Sequence, residues 1–586
     1  MTLDVGGHCP CGNSCSLVCS FVSYLSKIIK IIILLNVFTS VQSQIVFAST
    51  YLHLTLYIDN FRRCPMDLST SLEHCEVALN KFLNNDLHGA MAIMKPWSQT
   101  SLYHSLATSI FEFIPAVLTL DPRQVGVALA SIKHTVALGQ QYRRSYSLVE
   151  SIGTMIRKPN FSTFTEMEAH AELCYAETLL LQAALSILEG EDLAGLVRAA
   201  LKVKASHNSY KNCEKILCHR RWADGRSRRD FESGVRLGLA TFNVVISMLP
   251  SRLMSILSYA GFNGNLAAGL VELERGSLAG GLRAPLCDLT LLAIQLVAVH
   301  FVAGVPDMAL AERILAARLQ QFPVGAFFLL FLGRLQLLRG ETSEALATYA
   351  RVAAIPRLWP QLQQFTYWEC MWAIELRWRE AAQFAGKLLN ESAWSRTVYA
   401  YTRAAFLLEL PDPTPAETHE IAQLLGRAAT YRQRFAGKSL PMEKFVIRRC
   451  QRWAARGKLV LPGLELLCLW NMFPSLATDE NRVEEALKLR EGEAAEGARL
   501  LQADDIGLVN YLRGALCFAS RRVPEALESL DHVIERSYSG YLLESRLHFR
   551  LHSRMEMIPE QPAEEERAMA EHETFELRAR DEDQRQ

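Results

Sequence analysis

Residues 333–356 read GRLQLLRGETSEALATYARVAAIP. Gly333 and Ala345 are separated by a breaker, Gly340-Glu341-Thr342-Ser343, and Tyr349 and then Pro356 follow Ala345. Two helices joined at Gly340 are predicted, because Gly suits the end of one helix and Thr or Ser the start of the next. Paired helices approach closely only where side chains are small. Gly333 and Ala345 therefore mark the contact, and the Tyr349 ring fills the groove beside it. Pro356 then stops the second helix.

The arrangement recurs. Ala309, Ala345 and Ala381 each open a helix after a short breaker, at a constant interval of 36 residues. Gly304-Val305-Pro306-Asp307 and Arg521-Arg522-Val523-Pro524 are breakers of the same kind. Gly514, Ala526 and Leu530 repeat the pattern near the C-terminus. Ala78, Ala90 and Met94 repeat it near the N-terminus, around an Asn84-Asn85-Asp86 turn. A helical repeat of this length is close to the tetratricopeptide unit of about 34 residues. Beyond residue 65 apolar residues recur at three and four, and no sustained run alternates with period two. The predicted fold class is all-α, a tetratricopeptide-type helical-hairpin solenoid with degenerate repeats.

The length of 586 residues would ordinarily make several compact domains, but one extended solenoid uses it equally well. The expected division is an atypical N-terminal leader with an apolar segment at 1–65, degenerate helical repeats at 66–285, and the best-formed tandem at 286–410. Further helical repeats follow at 411–555, and a charged tail, expected to be disordered, at 556–586. Lys plus Arg and Asp plus Glu both total 62, so no net field draws the chain to nucleic acid. With 50% hydrophobic and 21% charged residues it has material for an extensive core. Most of the 14 cysteines are widely spaced, as suits a reducing compartment. Cys9, Cys11, Cys15 and Cys19 are closer together but lack the paired spacing of a zinc knuckle.

A cytoplasmic location is expected. The alternative is a signal-peptide or membrane-associated reading of residues 21–45, where Ile28 to Phe38 follows Lys27 and includes Lys30. The polar stretch Thr39 to Gln44 cuts that run short of the roughly 20 residues a spanning helix needs. Two internal apolar stretches, Phe231 to Pro250 and Leu289 to Val305, read as buried solenoid helices. The basic stretch His219 to Asp230 reads as a solvated loop.

Four segments carry a family likeness. They are Thr165-Glu166-Met167-Glu168-Ala169-His170-Ala171-Glu172-Leu173-Cys174-Tyr175-Ala176-Glu177, Phe231-Glu232-Ser233-Gly234-Val235-Arg236-Leu237-Gly238, Thr366-Tyr367-Trp368-Glu369-Cys370-Met371-Trp372 and Phe435-Ala436-Gly437-Lys438-Ser439-Leu440-Pro441-Met442-Glu443-Lys444-Phe445. With them the chain resembles, over about residues 68 to 555, the tetratricopeptide repeat protein 39 family, whose fungal relatives include an inclusion-body clearance protein. The resemblance implies a non-enzymatic interaction scaffold with no catalytic residues and roles around lipid homeostasis or protein turnover. The opening of about 60 residues departs from the family pattern. Glu544 to Arg550 looks like the family's last helix but follows Ser537-Tyr538-Ser539 almost directly, one hairpin short.

No phosphate-binding glycine loop and no Gly-x-Ser-x-Gly elbow occurs in the sequence. No cofactor or metal is expected. His170 and Cys174, four apart on one helical face, could offer two metal ligands, but without a second pair they read as helix packing. Tyr367, Trp368, Trp372 and Trp378 follow helical spacing and read as core. A solenoid of this type presents the first helix of each hairpin along a concave groove. Those positions are Ile294, Ala298 and Phe301, then Phe327, Leu330, Arg334 and Leu337, then Gln363, Thr366 and Cys370. So apolar a groove suits an apolar protein segment or, as the alternative, a lipid or membrane surface. Coverage by neighbouring helices explains the same pattern, since such a surface seldom stays exposed. Chaperone-tail clamps need cations there, but Ile294, Ala298, Phe331, Gln363 and Tyr367 supply none.

Overall fold

The computed structural model describes residues 66–535, except 120, 145–159, 190–192, 248–263, 302–304, 357, 393, 433–440 and 498–502. The leader, the Cys9 to Cys19 cluster, the apolar run of 21–45, the final helix and the charged tail lie outside the described residues, as does most of the Phe435 segment.

Among the described residues every regular element is helical. The first eight helices are α1 (Leu68–Leu83), α2 (Leu87–Met94), α3 (Leu102–Thr119), α4 (Pro122–Tyr142), α5 (Glu166–Glu189), α6 (Leu193–His219), α7 (Gly225–Ser247) and α8 (Leu266–Leu278). Next is α9 (Ala284–Ala293), which runs on through a π-helical turn at Ile294–Ala298. The central tandem is α10 (Met308–Gln321), α11 (Ala326–Leu338), α12 (Thr342–Ala353), α13 (Pro360–Ala373), α14 (Trp378–Glu391) and α15 (Arg396–Leu408). It is followed by α16 (Pro415–Arg427), α17 (Pro441–Arg456), α18 (Pro462–Leu469), α19 (Phe473–Leu476), α20 (Glu480–Gly497), α21 (Ala503–Ala519) and α22 (Val523–Glu535). The all-α hairpin architecture read from the sequence is the one observed.

Local chemistry sets the helix starts. Asn85 turns the chain at a φ of 70°, a left-handed conformation that Asn tolerates. Asp86 then caps α2 by accepting from the Gly89 N–H at 2.7 Å. Asp307 caps α10 through the Leu310 N–H. Gly340 takes a φ of 80° between α11 and α12. Thr414 and Glu417 form a reciprocal capping box at α16. The basic stretch 219–230 is a loop only from Arg220 to Asp224, in contrast to the sequence reading. Asp224 accepts from the Arg226 and Ser227 N–H groups, so α7 already begins at Gly225.

Hairpins close where small residues were expected. Ala345 and Ala381 are buried, as are Ala78, Ala90 and Met94. Near the C-terminus Leu530 packs over Gly514. Ala309 departs from the pattern: it is exposed, and α10 buries Leu310 and Ala311 instead. That hairpin is the one whose first helix contains the π-helical turn, where one extra residue enters the backbone ladder and a count at 3.6 residues per turn fails.

The apolar stretch of α7 is core: Phe231 and Val235 pack with Tyr210, Cys213 and Ile216. No helix among the described residues is long and apolar enough to cross a membrane.

The chain also folds back on its own tandem. Ala326 N–H donates to Asn85 Oδ1 at 3.0 Å, and Asn85 Nδ2 donates to the Val324 carbonyl. The Phe82 ring meets Phe327 and Trp359 at centroid distances of 5.7 and 5.0 Å. One apolar core therefore runs from α1 through α3 to α11 and α13. A second joins α11 to α22.

Candidate functional site

A cavity of about 290 Å³ remains between α11 and α13. Phe327, Leu330 and Phe331 form one wall, and Leu362, Phe365, Trp368 and Trp372 the other. Leu118 of α3 and Val297 of the π-helical turn close one side, and Trp470 and Met472 another. Phe365 is 42% exposed, at the mouth.

Trp470 and Met472 lie far from α11 in sequence, and polar contacts bring them there. Asn471, at a φ of 56°, donates through Nδ2 to the His300 carbonyl at 2.7 Å. Ser475 donates through its hydroxyl to the Leu337 carbonyl at 2.8 Å and lies 3.1 Å from Glu375 Oε1. The other oxygen of Glu375 pairs with Arg482 of α20. Burial pushes the Glu375 carboxyl up, while Arg482 pulls it down. The Trp470 ring then stands edge-on to Trp368, with centroids 4.9 Å apart, and lies 5.8 Å from Trp372.

Two charged side chains reach this wall, and they pair with each other. Arg334 Nη1 lies 3.3 Å from Glu369 Oε2, with side-chain exposures of 5% and 18%. Arg334 Nε donates to the Leu296 carbonyl at 3.4 Å, within the π-helical turn. The Tyr349 hydroxyl donates to Glu369 Oε2 at 3.2 Å, and burial holds that phenol well above its ordinary pKa. Such a site can bind. Among the described residues its ionisable lining groups are Arg334 and Glu369, already committed to each other, so it has no nucleophile matched to a base.

Of the ten groove positions read from the sequence, Phe327, Leu330 and Arg334 come together on this wall. Six of the others do not line it. Ile294 is buried among Val244, Leu273 and Leu310, and Ala298 is half-buried in the π-helical turn. Leu337 and Cys370 are buried in the core that runs to α22. Thr366 is buried, and its hydroxyl donates to the Leu362 carbonyl. Gln363 donates to the Tyr367 hydroxyl at 2.7 Å. The Phe301 side chain lies outside the described residues. Helical counting took Ala298 in place of its neighbour Val297, which lines the cavity from the π-helical turn. No local pattern could have found Leu118, Trp470 or Met472. Trp368 and Trp372, read as core, are both core and cavity wall.

Elsewhere, both ring nitrogens of His170 are engaged. Nδ1 lies 2.6 Å from the Tyr103 hydroxyl, and Nε2 lies 3.0 Å from that of Ser227. Burial lowers the His170 pKa to about 3 and raises that of Cys174 to about 12, so the pair is a packed structural element. No group of three potential metal ligands converges among the described residues.

The family model described as Iml2/Tetratricopeptide repeat protein 39 matches residues 76–519. The chain is also similar to the tetratricopeptide repeat protein ttc-39B of Caenorhabditis elegans. The two are 28% identical over 542 residues, covering 84% of this chain and 93% of that relative.

Proposed function

Because the chain belongs to the Iml2/tetratricopeptide repeat protein 39 family, we propose that it is a non-enzymatic, cytoplasmic interaction scaffold whose protein partner contributes an apolar segment. The observation that carries this reading is the mouth of the cavity. Phe365 stands exposed above a wall of Phe327, Leu330 and Trp368, and the nearest cation, Arg334, is held by Glu369. An apolar helix or extended segment gains by covering such a rim, whereas an acidic tail would set its carboxylate beside Glu369. The test is photo-cross-linking in cells from p-benzoyl-phenylalanine at position 365, against the same group at the exposed Val127 of α4. The scaffold reading expects a distinct polypeptide from position 365. Identical products from both positions contradict it.

A second reading, a lipid-binding factor, is favoured by the apolar volume itself. Of the two roles attached to the family resemblance, lipid homeostasis and protein turnover, this cavity supports the first.

A further inference from the structure

We propose that the cavity between α11 and α13 binds an uncharged lipophilic alcohol of roughly a dozen non-hydrogen atoms; the proposal rests on the lipid-binding reading of the same site. Size comes first. An apolar protein cavity of about 150 Å³ accommodates benzene, so a cavity of about 290 Å³ holds roughly twice as many ligand atoms.

Polarity follows from the wall. Phe327, Leu330 and Leu362 offer only apolar surface to most of a ligand, so its body must be hydrocarbon. Polar contacts are confined to Arg334, Glu369 and the indole edges of the lining tryptophans. The described contacts of the Arg334 guanidinium use Nε and Nη1 at 3.4 and 3.3 Å, both long for charge-assisted hydrogen bonds. Both described contacts of Glu369 fall on Oε2. A hydroxyl can accept from the guanidinium and donate to the carboxylate at once. A fatty carboxylate would set a second anion beside Glu369, and an amine a second cation beside Arg334. Either like-charge pair is disfavoured in so apolar a site. The Trp372 indole N–H is buried and makes no hydrogen bond with the protein, so it offers a further donor to the ligand oxygen.

The test uses the full chain and three proteins: wild type, Leu330→Trp and Glu369→Gln. Each is titrated with 1-decanol and with sodium decanoate at pH 7.5, below the aggregation limit of either, following tryptophan fluorescence and calorimetric stoichiometry. Wild type should bind one decanol saturably and prefer it to decanoate by about tenfold, the consequence of the Glu369 charge. Leu330→Trp fills the cavity and should abolish decanol binding. Glu369→Gln leaves Arg334 as the sole charge and should reverse the preference towards decanoate, an outcome that a purely structural role for Glu369 would not produce. If Leu330→Trp fails to fold, the reversal in Glu369→Gln still decides. Preference for decanoate by wild type would overturn the alcohol assignment while leaving lipid binding intact. Absence of saturable binding by either probe, or decanol binding that survives Leu330→Trp, would overturn both.

Discussion

The Tyr349 ring lies across Gly333 so closely that a Cβ on that glycine would meet Tyr349 Cε1 at 2.3 Å. Tyr349 is fully buried and its hydroxyl is tied to Glu369, so it cannot swing clear without loss. Gly333→Ala should therefore destabilise the protein by about 1–3 kcal/mol through overpacking. The cost should shrink when Tyr349→Leu is introduced as well, because residues in contact couple. Denaturant midpoints of the four proteins in that cycle measure the coupling. Purely additive effects would place the ring elsewhere.

Ala345, at the matching point of α12, has no exposed surface. Ala345→Leu should cost about 1–3 kcal/mol by the same mechanism, and a melting temperature within a degree of wild type would refute the hairpin register.

Buried and exposed ion pairs should respond differently. Arg283 and Glu177 join α9 to α5 in a two-pronged contact, with Nη2 to Oε2 at 2.7 Å and side-chain exposures of 6% and 13%. Glu177→Ala strands the guanidinium, at a cost of about 3–5 kcal/mol. Arg226 meets the half-exposed Glu73 and Glu76, and removing either carboxylate should cost less than about 1 kcal/mol. Thermal or denaturant unfolding of the single variants checks the ordering, which equal losses would contradict.

Acid should weaken the fold partly through His170. Its pKa falls from 6.5 to about 3 in the folded chain because burial opposes the charged ring. The unfolded chain therefore binds the extra proton between those values. The contribution is fully present above pH 6.5 and is lost as the pH falls towards 3, at up to about 1.4 kcal/mol per pH unit. Replacing His170 with Asn should reduce the slope of unfolding free energy against pH between about 5 and 6.5 while lowering stability near neutral pH. An unchanged slope would mean that the ring takes up its proton equally in the folded and the unfolded chain.

A peptide ending in Glu-Glu-Val-Asp should show no specific binding at this groove, since its cation, Arg334, is held by Glu369. Titration beside an amphipathic helical peptide checks this. Micromolar affinity for the acidic peptide that vanishes when its terminal carboxylate is amidated would contradict it.

The hairpin unit was legible because it is a local rule. Gly333, Ala345 and Tyr349 lie within one repeat, and small-residue contacts leave a periodic trace in the sequence. Ala309 broke the rule where a π-helical turn entered the preceding helix, an event with no composition signature in Ile294 to Ala298. The cavity was legible only in part. Phe327, Leu330 and Arg334 follow from helix periodicity, but Trp470 and Met472 arrive through the Asn471 to His300 and Ser475 to Leu337 contacts. The specificity of those contacts resides in three-dimensional closure, which a repeat pattern does not encode.

The solenoid closes on itself: its N-terminal hairpin folds onto its own tandem. Asn85 and Val324, joined by a side-chain to backbone hydrogen bond, report it directly. The decisive measurement is short-span bismaleimide cross-linking of the Asn85→Cys, Val324→Cys double variant, with each single variant as control for the native cysteines. An efficient intramolecular link is expected, independent of protein concentration and seen by peptide mass spectrometry between the peptides that carry the two introduced thiols. A folded, helical double variant that forms no such link, or only links between molecules, would contradict the closure.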